Sequence, residues 1–124
     1  MLQVGDLAPD FELLTDENQP LRLSDLRGRR VVLFFFPRAD TPGCTAQACG
    51  FRDRLPVIEA GNAIVLGLSP DLPEALAKWR VKEKLPYNLL SDPNHEVADA
   101  FGAWGEKSMS VSYTHLTLPT SDLV

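Results

Sequence analysis

The sequence is poor in the residues that usually announce a metal centre or a disulfide framework. Its two histidines, His95 and His115, argue against a dedicated zinc site. Its two cysteines, Cys44 and Cys49, are too few for a disulfide scaffold, and in a reducing compartment such a pair points to redox or catalytic chemistry. No apolar run approaches the roughly 20 residues that span a bilayer. The start, Met1-Leu2-Gln3-Val4-Gly5-Asp6, lacks the basic end and apolar stretch of a signal peptide. Positive charge is in deficit as well: the net charge of -5 speaks against nucleic acid or an anionic membrane as a partner. Internal repeats and low-complexity linkers are absent. The expectation is a soluble, cytoplasmic protein.

What remains is enough for one domain: 124 residues, 44% of them hydrophobic. Leu7–Leu13 reads as a short strand, Asp16–Pro20 as a turn, and Leu21–Leu23 as the second arm of a hairpin. Ser24 is placed to cap one helical turn that Gly28 stops. Val31 to Phe36 is an unbroken apolar run, the pattern of a strand covered on both faces. Thr41 then reads as an N-cap and Pro42 as the first residue of a helix running to Ala60, with Gly61 as its stop and Pro56 inside it. Ala63–Ser69 is a second buried strand. Asp71 is expected to open a helix that turns Leu72, Leu76, Trp79 and Glu83 along one face. Asn88–Leu90 is a third strand, and Ser91-Asp92-Pro93 starts a helix carrying Val97, Ala98 and Phe101, closed by Gly102. Alternating strands and helices of this kind give an α/β fold with a parallel sheet.

Both cysteines sit where the first buried strand feeds a helix. Cys44 falls at the third helical position, where backbone N–H groups lack intrahelical partners and the helix dipole favours negative charge. A thiol there has a lowered pKa, and the thiolate is the nucleophile. Arg38 or Arg52 can add positive charge, and Thr41 brings a hydroxyl that both donates and accepts. Cys49 lies five positions on. In a regular helix that spacing separates the Cα atoms by about 8.6 Å, beyond the roughly 7 Å limit for a disulfide. Joining the two therefore requires unwinding, which the neighbouring Gly43 and Gly50 make less costly. The pair reads as a redox couple with a conformational step, against the plainer alternative of two small hydrophobes facing a sheet. A thioredoxin-like oxidoreductase would favour Cys-x-x-Cys instead.

Pro37-Arg38-Ala39-Asp40-Thr41-Pro42-Gly43-Cys44 resembles the peroxiredoxin active-site pattern, Pro-x-x-x-Thr-x-x-Cys. The continuation, Thr45-Ala46-Gln47-Ala48-Cys49-Gly50-Phe51-Arg52-Asp53, resembles the peroxiredoxin Q branch, also called bacterioferritin comigratory protein. Further matches run from Gly5-Asp6-Leu7-Ala8-Pro9-Asp10-Phe11 to Phe101-Gly102-Ala103-Trp104-Gly105-Glu106-Lys107-Ser108. The resemblance implies a thioredoxin-like fold and a monomeric, cofactor-free peroxidase. It implies Cys44 as the peroxidatic cysteine and Cys49 as the resolving cysteine of an intramolecular Cys44–Cys49 disulfide. Thr41, with the N–H groups of Gly43 and Cys44, would hold a hydroperoxide while Pro37 shields the thiolate. Thioredoxin or a similar dithiol would reduce the disulfide.

The same resemblance leaves gaps. Peroxiredoxins place an arginine on a later strand, and no arginine follows Arg80 here. The family's C-terminal strand pair and final helix are expected to be missing. Val111-Ser112-Tyr113-Thr114-His115-Leu116-Thr117-Leu118-Pro119-Thr120 resembles the in-frame translation of a transposase adaptor used in preparing sequencing libraries. The expected division is an incomplete thioredoxin-like domain over 1–109 and a non-native tail over 110–124. A catalytically impaired fragment and a thioredoxin-like protein disulfide reductase stand as alternatives. Trp79 is expected in the core, His95 at the surface, and Arg52 and Asp53 in a local pair.

Overall fold

The computed structural model describes residues 7–26, 28–102, 107–112 and 115–119, the last two stretches as backbone strands. Glu12–Thr15 (β1) and Pro20–Arg22 (β2) form the hairpin, with Leu13 opposite Leu21. The first strand begins later than the expected Leu7, because Pro9 cannot donate to a ladder. Ser24 does not cap. It lies inside the 3-10 turn Leu23–Leu26, and its own backbone N–H donates to the Asp10 carboxylate at 2.9 Å.

Arg30–Phe35 (β3), Ala63–Ser69 (β4) and Leu89–Ser91 (β5) are parallel neighbours, joined by the helices Pro42–Ala60 (α1) and Pro73–Glu83 (α2). The path β3, α1, β4, α2, β5 steps in one direction across the sheet, so both helices cover the same face. Strand alternation divides the Val31–Phe36 run between two cores. Val32, Phe34 and Phe36 pack with Cys44, Ala48 and Leu55 of α1 and Leu76 and Trp79 of α2. Val31, Leu33 and Phe35 face the other side, against Leu66, Leu68 and the residues Val97, Ala98 and Phe101 around the short helix Glu96–Ala100 (α3). Gly67 of β4 is fixed by this packing: a Cβ there would meet the Phe34 ring at 2.6 Å and Leu89 Cδ2 at 2.8 Å.

Two helix starts differ from expectation. Asp71 does not open α2, which begins at Pro73 with Leu72 in the cap position, 62% exposed rather than turned to the core. The Asp71 carboxylate is occupied elsewhere, by the Ala39 N–H and the Ser69 hydroxyl. In α3 the helix begins at Glu96, later than Ser91-Asp92-Pro93 suggests. Asp92 still serves it, accepting the N–H groups of Val97 and Ala98, each at 3.1 Å. Phe101 is buried, and Gly102 follows with φ +63.

The full sheet order is β2-β1-β5-β4-β3-β6-β7, a thioredoxin-like mixed arrangement. On the side of β3 where the sequence left no strand pair, Lys107–Ser112 (β6) and His115–Pro119 (β7) complete the sheet. β6 pairs antiparallel with the whole of β3, and β7 pairs with β6. An edge like that of β3 presents a row of N–H and C=O groups that any extended segment can satisfy. β6 runs across the 109/110 division, and β7 lies beyond it. The motif residues Gly5, Asp6 and Ala103–Glu106, together with Tyr113, lie outside the described residues.

Candidate active site

The site forms where β3 ends and α1 begins. Phe36 closes the apolar run, and 37–41 cross the C-terminal end of the parallel strands as a short loop. Thr41 has extended backbone (φ -96, ψ 153), Pro42 supplies the preset first helical φ, and Thr45 N–H makes a helical bond to Thr41 O at 2.8 Å. Thr41 is thus the N-cap by position, but its side chain makes no capping bond. Its hydroxyl donates to Arg38 O at 3.3 Å.

Cys44 is the third residue of α1 and is fully buried among Phe36, Trp79 and their neighbours. Cys49 is half-buried five residues further along the same unbroken helix, and neither cysteine is in a disulfide. Pro37 and Gly43 are exposed and Thr41 half-buried, whereas Cys44 is buried. Arg38 points to solvent. Arg52 belongs to Cys49 rather than to the helix start: its Nε bonds Asp53 at 3.0 Å, the expected local pair, and its Nη1 donates to Glu83 O at 2.7 Å.

Several contacts that fasten this helix were not visible in the sequence. The Asp71 carboxylate accepts the Ala39 N–H at 2.7 Å and the Ser69 hydroxyl at 2.8 Å, and Ser91 Oγ donates to Asp71 O. One residue so ties the loop to the ends of β4 and β5. Trp79 is core, as expected, but its indole N–H also reaches Thr45 Oγ1 at 3.3 Å. Tyr87 donates to the Ala48 carbonyl at 2.6 Å, and the Cys49 thiol lies 3.6 Å from Glu83 Oε1. Burial pushes the Cys49 thiol up from its ordinary range. Arg52 opposes that shift, and Glu83 and Asp53 reinforce it. Burial also raises Tyr87. His95 caps α3 by position and pairs with Asp99 at 2.9 Å, away from the cysteines in sequence and on the other core's helix. Among the described residues no group of His, Cys, Asp and Glu could hold a metal ion. None of the described helices is long and apolar enough to cross a membrane.

The AhpC/TSA family profile matches residues 4–123. A putative peroxiredoxin bcp from Haemophilus influenzae is 50% identical over 106 residues, covering 86% of this chain and 68% of that protein. The chain belongs to the AhpC/TSA family. Peroxiredoxin Bcp from Escherichia coli is 47% identical over 107 residues, with 86% of this chain and 69% of that protein covered. Among solved structures, peroxidoxin BcpB from Mycobacterium tuberculosis superposes with a TM-score of 0.84 at 35% identity, over 94% of this chain and 83% of that one. A Xylella fastidiosa PrxQ superposes with a TM-score of 0.88 over 96% of this chain and 85% of its own, at 24% identity, a match of fold. This peroxiredoxin is of the Bcp/PrxQ type, and the strand-loop-helix turn carrying Cys44 lies within the matched region.

Proposed function

We propose that this peroxiredoxin is a thiol-dependent peroxidase that reduces hydrogen peroxide and organic hydroperoxides. The observation carrying the reading is Cys44 at the third position of α1, at the positive end of a long helix and three residues after the cap position Thr41. The Cys44 thiolate attacks one peroxide oxygen. The O–O bond breaks, water or an alcohol leaves, and Cys44 becomes a sulfenic acid. Thr41 and the N–H groups of Gly43 and Cys44 orient the peroxide, with Pro37 at the rim. Cys49 then condenses with the sulfenic acid in the same chain, and thioredoxin or a similar dithiol reduces the disulfide in the cytoplasm. The helical geometry supports a partial unwinding of α1 between the two steps, since the cysteines cannot meet along an intact helix.

The test is peroxide consumption coupled to thioredoxin reductase. Cys44→Ser is expected to abolish turnover, whereas Cys49→Ser still forms one sulfenic acid per chain, trapped by dimedone and counted by mass spectrometry. Loss of that first oxidation in Cys49→Ser would overturn the assignment, and insulin reduction without peroxide consumption would favour a protein disulfide reductase. A weakened peroxidase is the second reading, favoured because neither β6 nor β7, the strands beside β3, carries an arginine. A missing charge-stabilising donor costs about 10²–10³-fold, so activity matching that of the Escherichia coli relative would remove this reading.

A further inference from the structure

Four contacts reach α1 from α2 and the segment after it, and all land on one stretch of helix. Trp79 bonds Thr45, Tyr87 bonds the Ala48 carbonyl, Glu83 Oε1 faces the Cys49 thiol, and Arg52 bonds Glu83 O. These are the turns that lie between Cys44 and Cys49 or directly beyond them, the same turns that must open before the sulfurs can meet. Glu83 differs from the others in touching a sulfur. Its side chain is half-buried, so the charge acts on Cys49 with reduced solvent screening.

We propose that Glu83 is a positioning residue for the resolving step: it retains Cys49 in the helix as the thiol and so limits the rate of disulfide formation, not of peroxide attack. This rests on the reading of Cys49 as the resolving cysteine. In that step the Cys49 thiol gives up its proton and its sulfur attacks the Cys44 sulfur. The S–S bond forms, the S–O bond breaks, and the hydroxyl takes a proton and leaves as water. Only the thiolate attacks efficiently. A carboxylate beside the thiol disfavours the thiolate, and it is also a contact that must be given up. The other groups facing Cys49 are Arg52 and Asp53 on its own helix and Tyr87 from the segment after α2. Of these only Arg52 works against Glu83, and its bond to the backbone of residue 83 survives a side-chain change there. A delayed resolving step lengthens the life of the sulfenic acid and leaves it open to a second peroxide, which takes it to sulfinic acid.

The experiment mixes reduced protein with one equivalent of hydrogen peroxide, quenches with acid at intervals from pH 6 to 9, and counts sulfenic and disulfide forms by intact mass. In Glu83→Gln the ratio of the disulfide-forming rate to the sulfenic-forming rate is expected to rise about threefold to tenfold. The pH midpoint of the disulfide step moves down, and less sulfinic acid accumulates under excess peroxide. Glu83→Asp, which keeps the charge, is expected to keep the wild-type midpoint. A merely structural role for Glu83 would not move that midpoint with charge. If Glu83→Gln fails to fold, Glu83→Ala carries the same expectation. An unchanged ratio and midpoint in a wild type that does form the Cys44–Cys49 disulfide overturns the role of Glu83 alone. Absence of that disulfide in the wild type overturns the reading of Cys49 itself.

Discussion

Gly67 shows how closely individual positions are specified in this sheet. It sits in β4 opposite Phe34, where the ring that stacks on Phe51 at 4.9 Å and meets Tyr87 edge-on at 5.8 Å occupies the space of a Cβ. Gly67→Ala is expected to destabilise the protein by about 1–3 kcal/mol through overpacking. Urea denaturation reads this as a lower midpoint with the slope unchanged. Cys49 and Tyr87 give the residue scale a pH signature. Burial raises both groups above their ordinary values of 9.0 and 10.0. Below the unfolded value each group is protonated in both states, and its stabilising contribution is fully present. As pH rises, the unfolded chain releases its proton first, so stability falls toward the folded value. Denaturation under reducing conditions between about pH 8 and 10.5 should show this decline, with a shallower slope in Cys49→Ser.

At the scale of the element, α1 was the most legible part of the chain. Thr41, Pro42 and Gly61 are start and stop signals that depend on neighbours in sequence, and the helix runs from Pro42 to Ala60 as they indicate. Val31–Phe36 was legible for the same reason, as a run whose period is local. Asp71 was not: an acid two residues before a helical proline has the local look of a helix start, while its carboxylate binds an N–H 32 positions earlier. Glu83 and Tyr87 were hidden likewise, since no local pattern says that they meet a helix 34 and 39 positions away. Gly50 lets this element be tested. It is exposed on α1 beside Cys49, and a Cβ there meets nothing within 4 Å. Gly50→Ala should stabilise the protein by about 0.5–1 kcal/mol. Because it stiffens a turn that opens on the proposed cycle, it should also slow disulfide formation in the quenched time course. A stabilised variant that forms the disulfide as fast as wild type would show that unwinding of this turn is not limiting.

On the scale of the whole molecule, the parallel run of β3, β4 and β5 followed from the alternation of strands and helices, and the thioredoxin-like fold from the resemblance, but the partner of β3 on its outer side followed from neither. Long-range antiparallel pairing has no signature in the spacing of β3 itself, and the segment that fills the place overlaps the stretch that resembles a translated adaptor. With β6 and β7 in place, β3 is an interior strand flanked by β4 and β6. A variant ending at Met109 loses half of β6 and all of β7, and is expected to expose the Arg30–Val32 half of the β3 edge and self-associate. Light scattering and size-exclusion chromatography at rising concentration would check this. A monodisperse variant of unchanged stability would show that the pair contributes little to the sheet.

The Asp71 link between the loop and the ends of β4 and β5 bears on durability. On the proposed cycle, in which α1 opens between the two sulfur steps, the chain has to return to the same starting geometry every time. Asp71 holds Ala39 to the ends of β4 and β5, outside α1, so on that reading the loop ahead of Cys44 would stay registered while the turns after it come apart. The anchored end would then serve as the template on which the helix rewinds, and the resting state would be recovered without a search.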